Sequence, residues 1–192
     1  MKTSLIVGGT RGIGSVITER LKDRGDQIFT ASRRDNNADN HFSFDISSVD
    51  DVKNVVSSFS SKSEKINYLV FSQRYRGEDP TQEFQITVDG VAKLINAFQD
   101  SWSAESSIVI MGSNASRFIL DEQPVNYHAS RAALEGMVRY YAVTLGRYGV
   151  RCNCIMPTTI IKPENEHFFT EDNDVRHMIE EITPLRRMGK AD

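Results

Sequence analysis

Short apolar runs alternate along the chain with segments whose apolar residues recur every three or four positions. The runs are Ser4-Leu5-Ile6-Val7, Gln27 to Ala31, His41 to Asp45, Ile66 to Phe71, Ile108 to Met111 and Val150 to Ile155. Most lack polar alternation and are rich in β-branched and aromatic residues, so they predict six strands buried on both faces. Between them, Ile13, Val16, Ile17 and Leu21 mark one helix. A second carries Val49, Val52, Val56 and Phe59, is capped by Ser47 and Ser48, and has Asp50 and Asp51 in its first turn. Phe84, Val88, Val91, Ile95 and Phe98 predict one long helix. Leu134, Met137, Val138, Tyr141 and Leu145 predict another, from about Pro124 to Arg147. Strands alternating with helices imply an α/β fold, a doubly wound parallel sheet in three α/β/α layers. Its ligands lie beyond the carboxyl ends of the strands.

The first strand runs directly into Gly8-Gly9-Thr10-Arg11-Gly12-Ile13-Gly14, and a helix follows. Glycines let backbone approach an anion closely, and a helix N-terminus offers unpaired N–H groups. The turn therefore suits a phosphate. No Lys-Ser/Thr pair follows the last glycine, which argues against an ATP-type loop.

Composition adds boundaries. The length of 192 residues suits a single domain, 1–192. The net charge of −3 leaves no electrostatic footprint for nucleic acid, so no nucleic-acid partner is expected. The apolar N-terminal run is too short for a signal peptide, and no stretch is long enough for a membrane span. Cys152 and Cys154 share one face of the sixth strand and read as reduced core residues; a cytoplasmic location follows as the default. His41, His128, His167 and His177 have no metal-ligand spacing. The acidic segment 158–183 reads either as a substrate loop at the sheet's carboxyl edge or as a solvated surface loop with a short helix near Val175 to Glu181.

These residues resemble the short-chain dehydrogenase/reductase family over nearly the whole chain. The glycine turn is similar to the family's cofactor turn, which makes Gly8, Thr10, Arg11, Gly12, Ile13 and Gly14 candidate cofactor contacts. Asp45-Ile46 resembles the pair that meets adenine. Pro157, ending Arg151-Cys152-Asn153-Cys154-Ile155-Met156-Pro157, matches the loop that holds nicotinamide. Ser113 and Tyr127 stand at the positions of the catalytic serine and tyrosine. The resemblance implies a Rossmann-like fold, a small-molecule carbonyl or alcohol substrate, and a homodimer or homotetramer. Leu94, Tyr140 and Val143 are candidates for the self-complementary patch. The departures are specific. Arg131 replaces the family lysine four residues after the tyrosine, Thr87 replaces the helix asparagine, and Phe71-Ser72-Gln73-Arg74 replaces Asn-Asn-Ala-Gly. The sequence ends at Asp192, where the family continues with one more helix and strand.

The chemistry of carbonyl reduction requires a held cofactor, a polarised carbonyl and a proton donor. Tyr127 is the candidate acid/base, Ser113 the oxyanion partner, and Arg131 the ribose clamp and fixed charge. Residues four apart share a helix face, so Arg131 stands beside Tyr127. A cation there favours a phenolate. Ser32, Arg33 and Arg34 at the end of the second strand, with Arg11, suit a 2′-phosphate and favour NADP(H). The basic run Gln73-Arg74-Tyr75-Arg76 reads as a solvated loop or as a contact to an anionic substrate or cofactor phosphate. The rival to an oxidoreductase is a non-catalytic dinucleotide-binding protein, a sensor or assembly partner.

Overall fold

The computed structural model describes residues 1–191. Six parallel strands form one sheet: β1 (Thr3–Val7), β2 (Gln27–Ser32), β3 (His41–Ser43), β4 (Tyr68–Phe71), β5 (Ser107–Met111) and β6 (Arg151–Ile155), in the order β3-β2-β1-β4-β5-β6. The helices are α1 (Gly12–Asp23), α2 (Val49–Ser60), α3 (Pro80–Phe84), α4 (Gly90–Ala97) and α5 (Val125–Gly146). Val7 pairs with Ala31 on one side and with Phe71 on the other. The strand order reverses between β1 and β4, which leaves a crevice at their carboxyl ends.

Residues of one strand alternate between two cores. Leu5, Phe29, Leu69, Ile108 and Ile110 face the larger core with α2, α4 and α5, whereas Ile6, Ile28 and Val70 face Ile17 and Leu21 of α1. Four aromatic rings extend the larger core: Phe29 on Phe59 at 5.2 Å, Phe59 on Phe98 at 5.3 Å, and Phe98 on Trp102 at 6.2 Å.

Several expectations need correction. The long helix expected through Phe84 and Val88 is present but irregular: α3 runs into α4 through a π-helical turn, Gln85–Asp89. Ile86 and Thr87 of this turn are buried, as is Glu83 of α3, which accepts a hydrogen bond from Ser130 of α5. In α2, Val55 is buried and Val49 is exposed; Ser48 alone caps the helix, accepting the Asp51 N–H. Leu94 is fully buried in the core and cannot belong to a surface patch, whereas Tyr140 and Val143 are exposed. Strand β6 is an edge strand with Arg151, Asn153 and Ile155 exposed, so it is not buried on both faces. The third strand ends at Ser43, and Asp45 and Ile46 lie in the turn after it.

The segment after β6 is more ordered than its composition suggests. It contains β7 (Ile160–Ile161), α6 (Glu166–Thr170), α7 (Asp174–Ile182) and β8 (Gly189–Lys190). Phe169, Ile179 and Met188 form a small core of their own, with Ile161 against it. No helix among the described residues is long and apolar enough to cross a membrane.

Candidate active site

The crevice between β1 and β4 opens into a cleft of about 1390 Å³. The glycine turn forms its floor. Gly8 has φ +79°, and a Cβ there would sit 2.7 Å from the Gln73 backbone nitrogen. The chains leaving β1 and β4 meet here with no room for a side chain. Gly14 lies beneath the turn and does not line the cleft. A Cβ on it would lie 2.2 Å from the Gly8 carbonyl oxygen, so this glycine is needed to pack the turn. Thr18 pins the turn from α1, its hydroxyl facing the carbonyls of Gly9 (3.0 Å) and Gly14 (2.9 Å).

Gly8, Thr10, Arg11, Gly12 and Ile13 all line the cleft. Ser32, Arg33 and Arg34 line its end beside β2, and Asp45, Ile46 and Pro157 line its walls. One oxygen of the Asp45 carboxylate is engaged locally, accepting the Ser47 N–H at 2.9 Å and its hydroxyl at 2.7 Å. Thr158, Ile160, Lys162 and Glu164 line the cleft as well; residues 166–183 do not. The Glu164 carboxylate reaches back over α1: a Cβ on Gly12 would be 3.3 Å from it. A carboxylate at that helix N-terminus is electrostatically favoured.

Ser113, Tyr127 and Arg131 line the same cleft. Ser113 is buried at the end of β5, where its oxygen accepts the Ala115 N–H at 3.2 Å. Tyr127 sits in the first turn of α5. The Arg131 guanidinium lies 4.5 Å from its ring centre, and that of Arg74 lies 4.9 Å from it. Arg74 is held there by Gln123, whose Oε1 accepts from its Nη2 at 2.8 Å. Gln123 belongs to the loop before α5. His128 fixes that loop, facing the Pro124 carbonyl through Nδ1 (3.1 Å) while its Nε2 accepts the Leu120 N–H (3.0 Å).

Beneath Tyr127 lies a buried carboxylate that pattern reading does not find. Glu83 Oε1 accepts from the Thr87 hydroxyl at 2.9 Å, the Ser130 hydroxyl at 2.6 Å and Arg131 Nη2 at 3.4 Å. Burial lowers the Arg131 pKa from its ordinary value, Tyr127 and Glu83 pull it back, and Arg74 lowers it further. The group remains a cation, as arginine does. The only available signal was spacing: Glu83 and Thr87 are four apart on one helix, as are Tyr127 and Arg131 on another.

The cleft fits a dinucleotide on its own evidence. Its floor is a glycine turn at a helix N-terminus, it continues without interruption to Tyr127, and two buried polar atoms lack partners: Arg131 Nε and Gln73 Oε1. The two cysteines are free thiols. Burial pushes Cys152 up to about 12 and raises Cys154 as well, which leaves neither nucleophilic at neutral pH.

A parallel sheet with this strand order and a glycine turn at its switch point define a doubly wound α/β protein of the dinucleotide-binding class. The family model described as enoyl-(acyl carrier protein) reductase matches residues 7–192. The chain belongs to this family, within the short-chain dehydrogenase/reductases. It is 26% identical to a tropinone reductase homolog of Arabidopsis thaliana, over 98% of this chain and 79% of the relative. It is 25% identical to dehydrogenase/reductase SDR family member 4 of Mus musculus, over 100% of this chain and 77% of the relative. The fold matches a short chain dehydrogenase from Burkholderia cenocepacia solved in complex with NADP. There the TM-score is 0.84 at 22% identity, covering 100% of this chain and 86% of that one. The relatives are dehydrogenases and reductases, which supports an NAD(P)-dependent enzyme over a non-catalytic sensor.

Proposed function

We propose that this protein is an NADP(H)-dependent oxidoreductase that reduces a ketone or oxidises a secondary alcohol. The observation that carries the reading is the shared cleft: Ser113, Tyr127 and Arg131 line one continuous space with the glycine turn. When bound, the nicotinamide supplies or accepts the hydride. Tyr127 holds the proton that goes to the carbonyl oxygen, and the Ser113 hydroxyl hydrogen-bonds the same oxygen. Arg131 provides a fixed charge beside the phenol, and its partnerless Nε is free for a ribose hydroxyl. The cofactor contacts are Gly8, Thr10, Arg11, Gly12, Ile13, Ser32, Arg33, Arg34, Asp45, Ile46 and Pro157. Gly14 supports the turn from below.

NADP(H) is favoured over NAD(H) by charge. Arg33 and Arg34 are exposed at the β2 end of the cleft, where a 2′-phosphate needs cations. The NADP complex of the Burkholderia cenocepacia relative agrees with this choice. The chain acts as one domain, with 158–165 as the part of the substrate loop that touches the ligand. A homodimer or homotetramer through the exposed α5 face bearing Tyr140 and Val143 completes the reading, and a monomeric mass by light scattering would remove that last element.

The deciding experiment is turnover of a carbonyl panel with NADPH, in wild type and in Tyr127→Phe. Wild type should consume NADPH. Tyr127→Phe should lose at least about a hundredfold in kcat while its NADPH affinity stays near wild type. Turnover that survives the substitution would remove Tyr127 from the chemistry.

A further inference from the structure

Arg74 occupies an unusual place for a surface cation. It is exposed, yet its guanidinium lies 4.9 Å from the centre of the Tyr127 ring and is bonded to Gln123 at 2.8 Å. Arg76, two residues on, lines the same cleft. Among the described residues neither Arg74 nor Arg76 forms an ion pair, so the Arg74 charge held against the Tyr127 ring has no counter-ion. Arg74 is also a like charge to Arg131, which lies 4.5 Å from the same ring centre. The two cations disfavour each other, seen in the lowering that Arg74 imposes on the Arg131 pKa. Two guanidiniums held around one phenol, one of them without a counter-ion, are stabilised when an anion arrives between the ring and the mouth of the cleft.

We infer that Arg74, with Arg76 on the same cleft, is the recognition site for an anionic group on the substrate, a phosphate or a carboxylate borne close to the reacting carbonyl. This rests on the oxidoreductase reading above and adds the substrate class to it. The closeness follows from placement: Arg74 touches the ring whose hydroxyl serves the carbonyl, so the anion and the carbonyl are separated by only a few bonds. Guanidinium is suited to both anions because its planar fork meets two oxygens at once. Gln123 holds the fork in position before the ligand arrives, which reduces the ordering that binding requires. The neighbouring Glu122 also lines the cleft and would repel an anion placed beyond Gln123, which confines the site to the Tyr127 side. A cofactor phosphate is the rival occupant, and the glycine turn already offers it a helix N-terminus.

The test uses matched pairs with NADPH: dihydroxyacetone phosphate against dihydroxyacetone, and acetoacetate against ethyl acetoacetate. The wild-type protein should prefer the charged member of at least one pair by about tenfold or more in kcat/KM, the scale of a hydrogen bond to a charged group. Whichever pair shows the preference identifies the anion. Arg74→Met should bring that ratio towards one, chiefly through KM, and Arg74→Lys should restore part of it. Titration calorimetry of the same compounds into the NADP⁺-loaded protein gives a readout independent of turnover. Equal treatment of charged and neutral members by wild type would overturn the inference and leave the oxidoreductase reading intact. So would an Arg74→Met protein that loses NADPH affinity but keeps the wild-type ratio, since Arg74 would then serve the cofactor. Arg74-dependent binding of a charged compound that is not turned over would uphold the anion site, and the carbonyl panel would then decide the oxidoreductase reading separately.

Discussion

Arg131 Nη2 lies 3.4 Å from Glu83 Oε1, and with side chains 4% and 8% exposed these two residues form an ion pair buried on both sides. The family's lysine position is thus filled by a larger cation that has its own counter-charge. Glu83 is in turn held by Thr87 and Ser130, so three of its neighbours come from two helices. The arginine is thus held between its counter-charge and the Tyr127 ring, whose centre lies 4.5 Å from the guanidinium carbon.

From this pairing, Arg131→Lys is expected to lower kcat by about tenfold, because a compact ammonium cannot contact Glu83 and the Tyr127 ring at once as the guanidinium does. Glu83→Ala leaves a buried charge unpaired, a loss of about 3–5 kcal/mol, which lowers Tm by on the order of 10 °C. The double variant Glu83→Ala/Arg131→Met should recover part of that loss. Thermal denaturation of the four proteins measures the coupling. A double variant as unstable as the sum of the two singles would mean the pair is not coupled, and a faster Arg131→Lys enzyme would mean the arginine is a weakened lysine.

Arg33→Asp should reverse the sign of the potential where a 2′-phosphate would sit. NADPH affinity is expected to fall by about ten- to hundredfold, the scale of a charged hydrogen bond, with NADH affinity unchanged or improved. Fluorescence titration with both cofactors reports the two constants. Equal affinities in wild type would count against the NADP(H) preference.

Glu164 places a carboxylate beside the N-terminus of α1, where a pyrophosphate would bind. The two negative charges would oppose each other there. Glu164→Gln removes the competing charge and is expected to tighten NADPH by about fivefold, a change of roughly 1 kcal/mol. The gain should shrink at high salt. Weaker binding in the variant would show that Glu164 does not compete with the pyrophosphate.

Glu135 ties α5 to the loop after β5. Hydrogen bonds from Arg117, at 2.8 Å, and from Ser116 lower its pKa to about 2. A depressed carboxylate stabilises the fold above its unfolded value of about 4.3, and that contribution is lost as pH falls towards 2. Wild type should therefore lose more Tm between pH 4.5 and 2 than Glu135→Gln does. Parallel curves for the two proteins would show that the Arg117 contact contributes no stability.

Much of the architecture was legible in local pattern. Strand and helix alternation, the glycine turn after β1, and the four-residue spacing of Tyr127 and Arg131 each depend on residues close in the chain, where backbone geometry alone dictates the outcome. Leu5 and Ile6 face opposite cores simply because strand side chains alternate. What the chain by itself could not reveal depends on partners distant in sequence. Glu83 is an ordinary exposed-type residue until Ser130 and Arg131, more than forty positions away, enclose it. Phe84 and Val88 would have made a regular apolar stripe, but Glu83 and Thr87 are the buried positions beside the π-helical turn instead. Leu94 resembles a surface patch residue in sequence and is core only because the α2 and α4 side of the sheet closes over it. The place of Arg74 against Tyr127 likewise required β4 and α5 to meet across the cleft, since a side chain's chemical task is decided by what the fold brings within a few ångströms of it.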